Sequence, residues 1–361
     1  MYDKIKSVKI RGAGIRGLSL AHFLKQKGVD SILYDKAPRA GGWIKTVKEN
    51  GFLFEAGPRG IRPHPITLRL IEELQLSDQI IYPDPAAKKR FIYYKGKLRP
   101  LGALLPLLSF GLLKDLFLPA EKEELTIKDH FEKRLGKWAT NALIDPMVSG
   151  IFAGDINKLS AKKCFPSMVC NKSILAAMLS QPRTPLISFK GGMETLIHRF
   201  QADHEVKLNQ APENFDVDCT LDPKYESVSI VAVTIGWHDL KLPVKGFGYL
   251  VPTSEKEPIL GAVFDSATFP SQNQSPDEAR VTVMMGGANN PLMIDFPDEK
   301  LSEIALDSLS KHLNINVLPD YIRVHKARDA IPQPIVGSDL NGVGVNHAIE
   351  SSCKLADSLV S

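Results

Sequence analysis

Apolar residues recur along the chain with two different periods, and the switches between them mark its elements. Val8 and Ile10 alternate with polar neighbours as in a short strand, and Leu18, Ala21 and Leu24 then fall at helical spacing. That predicts strand, glycine turn and a helix over 15–27 ended by Gly28, with a second strand over 31–34. Residues 66–76 predict another helix, and Pro83 to Pro85 mark a boundary. From about 91 to 183 the pattern is leucine-rich and mostly helical. It changes again between 228 and 285, where the runs 228–235, 247–251, 259–264 and 281–285 are short, β-prone and separated by Pro, Gly and charges, as in an antiparallel sheet. Residues 299–313 return to helix before a glycine-rich tail.

The glycines of the first turn carry chemistry. Gly12-Ala13-Gly14-Ile15-Arg16-Gly17 is a GxGxxG run between a strand and a helix, the context in which the motif binds dinucleotides. The first glycine allows the tight turn. The second lets the backbone approach a pyrophosphate on the helix N-terminus, and the third lets helix and strand pack closely. Asp35 follows at the end of the second strand, where a carboxylate can accept ribose hydroxyls. Three further clusters favour FAD over NAD. Arg39-Ala40-Gly41-Gly42 offers a second backbone approach to the pyrophosphate with added positive charge, and Gly57-Pro58-Arg59-Gly60 is a rigid turn. At the far end Ile335 to Asp339 and Gly342 to Val345 lead into a helix whose N-terminus suits a flavin ring.

Composition narrows the alternatives. The chain has 361 residues, 43% hydrophobic and 24% charged, enough for two cores. A net charge of +4 is too mild to argue for nucleic acid, and no nucleic-acid motif is present. Cys164, Cys170, Cys219 and Cys353 have no metal-ligand spacing and suit reduced thiols in a reducing compartment. The N-terminal residues lack an apolar signal region, so a cytoplasmic protein is expected. The run from Leu101 to Leu118 is the most apolar, but Pro106, Lys114 and Asp115 interrupt it, so it predicts no spanning helix. By pattern alone it suits either core or a helix lying on a bilayer.

With these stretches in hand the sequence resembles the oxygen-dependent protoporphyrinogen oxidases of the monoamine-oxidase-like flavoprotein superfamily. The fingerprint, RAGGWI at 39–44, FEAGPRGIRP at 54–63, GIFAGD at 150–155, LPVKGFGYLVP at 242–252 and the tail GVGVNHAIES carry the resemblance, which runs along most of the chain. It implies an α/β fold: a Rossmann-like FAD-binding domain from 1–82, 184–224 and 332–361, a helical membrane-docking insert at 83–183, and an antiparallel-sheet substrate domain at 225–331. It implies six-electron oxidation of protoporphyrinogen IX with O2 as acceptor, and leaves a homodimer and peripheral contact with the inner membrane as expectations. By position, Gly12, Gly14, Gly17, Trp43, the turn Gly57-Pro58-Arg59-Gly60, Ser338, Val343, Gly344 and Val345 match FAD contacts, and Asp35 matches a ribose-binding acid. Arg90 matches an arginine holding a substrate propionate, which a guanidinium fork suits. Phe247 and Leu250 match residues that sandwich a pyrrole, with Met284, Met285 and Ile331 near the pocket.

The chain also departs from that pattern. It is shorter between about Gln210 and Tyr225, where strands of the FAD domain are expected, and between Gln333 and Ile335. Lys9 and Arg11 stand in a strand expected to be central and covered, and Arg16 replaces a small residue in the fingerprint. Three rival readings follow: a coproporphyrinogen III oxidase, an amine-oxidase-like flavoenzyme, and a non-catalytic homologue that binds a porphyrin or a partner.

Overall fold

The computed structural model describes residues 7–119, 121, 123–170, 173–180, 184–340 and 342–361. Along the chain run strand β1 (Ser7–Arg11), helix α1 (Ile15–Gln26), strand β2 (Asp30–Tyr34), helix α2 (Pro65–Glu73) and the hairpin strands β3 (Phe91–Tyr94) and β4 (Lys97–Pro100). Helices α3 (Ser109–Asp115), α4 (Ile127–Leu135) and α5 (Asp145–Phe152) follow, then strands β5 (Glu205–Lys207), β6 (Val217–Asp218), β7 (Ser227–Trp237), β8 (Gly248–Leu250), β9 (Ile259–Phe264) and β10 (Ala279–Gly286). Helix α6 (Asp298–Leu313), strand β11 (Tyr321–Pro332) and helix α7 (Val345–Val360) come last of the principal elements. The chain divides into two compact units, one of residues 1–82, 184–223 and 343–361, the other of 83–183 and 224–342.

The first unit is built on a parallel sheet of order β6-β1-β2-β5. Val8, Ile10 and Leu33 point to one face and form a core with Leu18, Ala21 and Leu24 of α1 and Ile349 and Ala356 of α7. The opposite face departs from expectation. A parallel sheet is ordinarily covered on both sides, but Ser7, Lys9, Asp30 and Glu205 on this face are exposed. The short connection 208–216 runs directly from β5 to β6, and Phe215 lies against the Arg11 guanidinium, 4.0 Å from its ring centroid. Arg11 also pairs with the Asp218 carboxylate. The two cations that looked misplaced in a central strand are therefore not buried without partners. They belong to a face open to water, and the desolvation penalty is avoided.

The second unit is built on a seven-stranded sheet of order β11-β7-β10-β9-β8-β3-β4. The expected strand runs in 228–285 form its centre, antiparallel from β11 to β8. Residues 91–100 are not helical as expected. FIYY and KLRP flank a Lys95-Gly96 turn and form a hairpin that joins β8 in parallel, Tyr249 beside Phe91 and Leu250 beside Ile92. One face of this sheet packs on α6 through Val231, Val233, Val281, Val283, Leu301, Ala305 and Leu309.

Candidate functional site

In the first unit the glycine clusters converge. The Gly41 N–H donates to the Ala13 carbonyl at 2.8 Å, and Gly14 and Gly41 form a β-bridge, so the second glycine turn lies along the first. A Cβ on Gly17 would stand 1.9 Å from the Gly12 carbonyl oxygen, and one on Gly57 would stand 1.8 Å from that of Trp43. Only glycine permits either approach. A Cβ on Gly14, by contrast, would meet nothing nearer than the Gly42 Cα at 3.9 Å, which leaves a shallow backbone cradle. Helix α1 opens on Gly14 with no side-chain cap and no acid in its first turn. Its first N–H groups, which lack intrahelical partners, are available to an anion. Helix α7 opens on Gly344 in the same way, with Val345 as its first residue after Val343. The Ser352 hydroxyl of α7 donates to the Arg16 carbonyl at 2.8 Å and ties that helix to the start of α1. These features fit a dinucleotide pyrophosphate.

Several side chains do something other than the sequence suggested. Asp35 accepts the Ala13 N–H at 2.8 Å and the Ala37 N–H at 2.9 Å, so it holds the fingerprint turn and keeps only its remaining lone pairs for a ribose. Arg39 adds no free charge to the cradle. Its guanidinium turns inward to the carbonyls of Ala40, Gly42 and Ile44 and lies 3.5 Å from Glu194, because those carbonyls would otherwise lack donors in the tight turn. Arg16 is exposed, and Trp43 is 51% exposed. The turn Gly57-Pro58-Arg59-Gly60 is half-buried and continues into a bridge from Ile61 to Ile187. Ser338 lies in the second unit, unlike Val343, Gly344 and Val345.

In the second unit, the parallel pairing of β3 and β8 brings residue 90 to residue 247. The Phe247 N–H donates to the Lys89 carbonyl at 2.9 Å, and the exposed Arg90 guanidinium lies 5.3 Å from the Phe247 ring centroid. Leu250 and Met284 share one sheet face, with Gly261 between them in register. Met285 does not join them. It is fully buried on the α6 side, since successive strand residues point to opposite faces. Ile331 pairs with Val228 past a register shift and is half-buried. The GIFAGD stretch has a packing role, since a Cβ on Gly150 of α5 would stand 2.5 Å from a Leu250 methyl.

The face of Met284 also holds groups that sequence reasoning missed. The Thr282 hydroxyl donates to the buried Asp265 at 2.6 Å, and Thr234, opposite Thr282 in register, lies 3.4 Å from His325 Nε2. Their signal was available only as strand parity with Met284.

The family model for flavin containing amine oxidoreductases matches residues 15–217, more than half of the chain. The chain belongs to this family. It is accordingly an oxidoreductase that uses FAD. Similar full-length proteins agree. Human protoporphyrinogen oxidase is 28% identical over 469 aligned positions that cover 98% of each chain. Coproporphyrinogen III oxidase of Bacillus subtilis is 23% identical, covering 93% of this chain and 89% of its own. A solved structure from Exiguobacterium sp. 255-15, provisionally named a protoporphyrinogen oxidase, superposes with TM-score 0.83 at 21% identity and covers 98% of both chains, which establishes the shared fold. The 469 aligned positions exceed this chain's length, so flavoproteins of this kind carry segments that it lacks.

Proposed function

We propose that this flavoprotein oxidises protoporphyrinogen IX to protoporphyrin IX, with O2 as acceptor and H2O2 as by-product. The observation that carries the reading is the Arg90 guanidinium 5.3 Å from the Phe247 ring centroid, next to the strand that carries Leu250: a cation beside an aromatic ring. That combination suits a macrocycle bearing propionates. Arg90 would pair with a propionate, while Phe247 and Leu250 pack against a pyrrole and keep water from it, with Met284 beyond Gly261. The names of the full-length relatives support the same substrate class. In this reading the first unit holds FAD through residues 12–17, 41–42, 57–60 and 343–345, and the second unit holds substrate. When bound, FAD supplies two-electron acceptance and passes the electrons to O2, three times per porphyrinogen.

The leucine-rich segment supports peripheral contact with a membrane. Helix α3 buries Gly111 and Asp115 and exposes Phe110 and Leu113, the reverse of a soluble helix. Leu105, Leu107, Leu116 and Phe117 are exposed beside it. Among the described residues, no helix is long and apolar enough to cross a membrane.

The test is porphyrin fluorescence from non-fluorescent porphyrinogen after reconstitution with FAD. Protoporphyrinogen IX and coproporphyrinogen III are run in parallel. Fluorescence from the first, faster than the aerobic blank, is the expected result. Turnover of coproporphyrinogen alone moves the assignment to that substrate. Bound flavin without turnover of either refutes porphyrinogen oxidation, and no flavin uptake leaves the non-catalytic reading.

A further inference from the structure

Within the first unit, the second glycine turn is held from a helix that the cofactor motifs do not include. Gly41 and Gly42 both have positive φ, 102° and 57°, and Gly42 and Trp43 are exposed, so the tip of this turn has little side-chain packing to fix it. The carbonyls of Ala40, Gly42 and Ile44 accept hydrogen bonds from the Arg39 guanidinium. That guanidinium faces Glu194, the first residue of the helix Glu194–Asp203, with Arg39 Nη1 3.5 Å from Glu194 Oε1. The other Glu194 oxygen accepts the Thr46 N–H at 3.2 Å, and the Glu194 N–H donates back to the Thr46 hydroxyl at 3.1 Å. The Thr46 hydroxyl in turn donates to the buried Glu55 at 3.0 Å, and Glu55 accepts the Met193 N–H at 2.8 Å. The same helix reaches the turn directly. A Cβ on Gly41 would stand 3.1 Å from Ile197 Cγ1 and 3.2 Å from Arg39 Nη1.

The Arg39–Glu194 pair is partly exposed, 34% and 18% at its side chains, and an ion pair of that kind adds little stability. What it decides is direction. A guanidinium can donate to the carbonyls of its own turn or swing out to solvent, and a carboxylate anchored by Thr46 keeps it inward. The turn so held is the one whose Gly41 N–H bonds the Ala13 carbonyl and whose Gly41 bridges Gly14. Rotation of its peptides therefore alters the backbone that lies along the opening of α1. We propose that Glu194 is a positioning residue that acts through Arg39 to set the Gly41–Gly42 backbone for the pyrophosphate of FAD. The inference rests on the reading of residues 41–42 as part of the FAD site.

The experiment measures FAD dissociation constants and the melting temperature of the FAD-free chain. It compares wild type, Glu194→Ala, Glu194→Gln, Arg39→Met, Gly42→Ala and the double variant Arg39→Met/Glu194→Ala. Arg39→Met is expected to weaken FAD binding at least about tenfold, the size of one lost charge-assisted contact. Glu194→Ala should weaken it about three- to fivefold, the upper range of a partly exposed ion pair. Glu194→Gln should fall between that and wild type, since it keeps an acceptor for the Thr46 N–H. The double variant should be scarcely weaker than Arg39→Met, because Glu194 acts through Arg39. Where Glu194→Ala does not fold, Glu194→Gln is read in its place. Wild-type FAD affinity in Glu194→Ala, whatever its melting temperature, would overturn the proposal, and so would additive losses in the double variant. Gly42→Ala separates the inference from the reading beneath it, since its Cβ would stand 3.4 Å from the Gly14 Cα and crowd the cradle itself. Unchanged FAD binding in Gly42→Ala removes residues 41–42 from the FAD site and the proposal with it. Weakened binding there, beside wild-type binding in Glu194→Ala, refutes the positioning role alone.

Discussion

Arg90 and Arg16 show how one residue type gains different meaning from its place. Arg90 is an exposed residue whose guanidinium lies 5.3 Å from the Phe247 ring centroid, and a planar fork of that kind suits a planar anion. Arg90→Ala should raise the KM for porphyrinogen roughly 10- to 150-fold, the worth of one charge-assisted hydrogen bond, with the flavin spectrum unchanged. Arg90→Lys should recover part of the loss. Equal KM values in all three proteins would remove the assignment. Arg16 sits in the first turn of α1, where the helix dipole repels a cation. Its charge is unfavourable there until an anion binds, which gives a split expectation. Arg16→Ser should weaken FAD binding about tenfold and make the FAD-free chain slightly more stable, by about 0.3–1 kcal/mol. Calorimetry with and without FAD reads both signs, and a tighter FAD complex would mean the side chain obstructs the site. The sequence located the glycine cradle because steric need leaves only one residue type possible. It could not tell that Arg39 turns inward or that Asp35 is already shared with Ala13, because such choices depend on carbonyls and N–H groups positioned by the folded turn.

At the scale of elements, strong periodicity was legible and mixed signals were not. The strand, helix and strand expected over 8–35 and the β-prone runs expected within 228–285 formed where expected. The hairpin β3–β4 was hidden because its strands are four residues long and lie before a leucine-rich segment. That segment sets the next expectation. Asp115 of α3 pairs with Arg134 and accepts the Ile174 N–H, so its polar side is committed inward while Phe110, Leu113 and Phe117 face out. In flotation with anionic liposomes the wild-type chain should rise with the lipid. A Phe110→Ser/Leu113→Ser/Phe117→Ser variant should stay in the dense fraction with its melting temperature unchanged. If wild type and variant both remain below, the surface is not a lipid contact.

At the scale of the whole molecule, the buried His130 and the half-buried His204 should contribute to its response to acid. Burial holds His130 near pKa 4, with Arg134 adding to the effect, and burial with His22 does the same for His204. Both lie below the ordinary value of 6.5. Above pH 6.5 neither the folded nor the unfolded chain binds these protons. Between 6.5 and 4 the unfolded chain binds them and the folded chain does not, so stability falls as pH falls through that window and these two sites add no further loss below it. Melting temperatures from pH 7.5 to 4 should show the slope, and a His130→Phe/His204→Phe variant should flatten it. An identical slope in both proteins would assign acid sensitivity elsewhere. Length offers a different test. Lys9 and Arg11 stand on the open face of a parallel sheet whose other face is packed, and the lettering of that strand suits water. A chimera that restores a covering layer between β5 and β6 would force both cations into a dry interface, and should express poorly. Changing Lys9 and Arg11 to valine in the same chimera should rescue it. The lettering of this strand thus suits its open face, and adding a covering layer without changing these two cations is expected to fail.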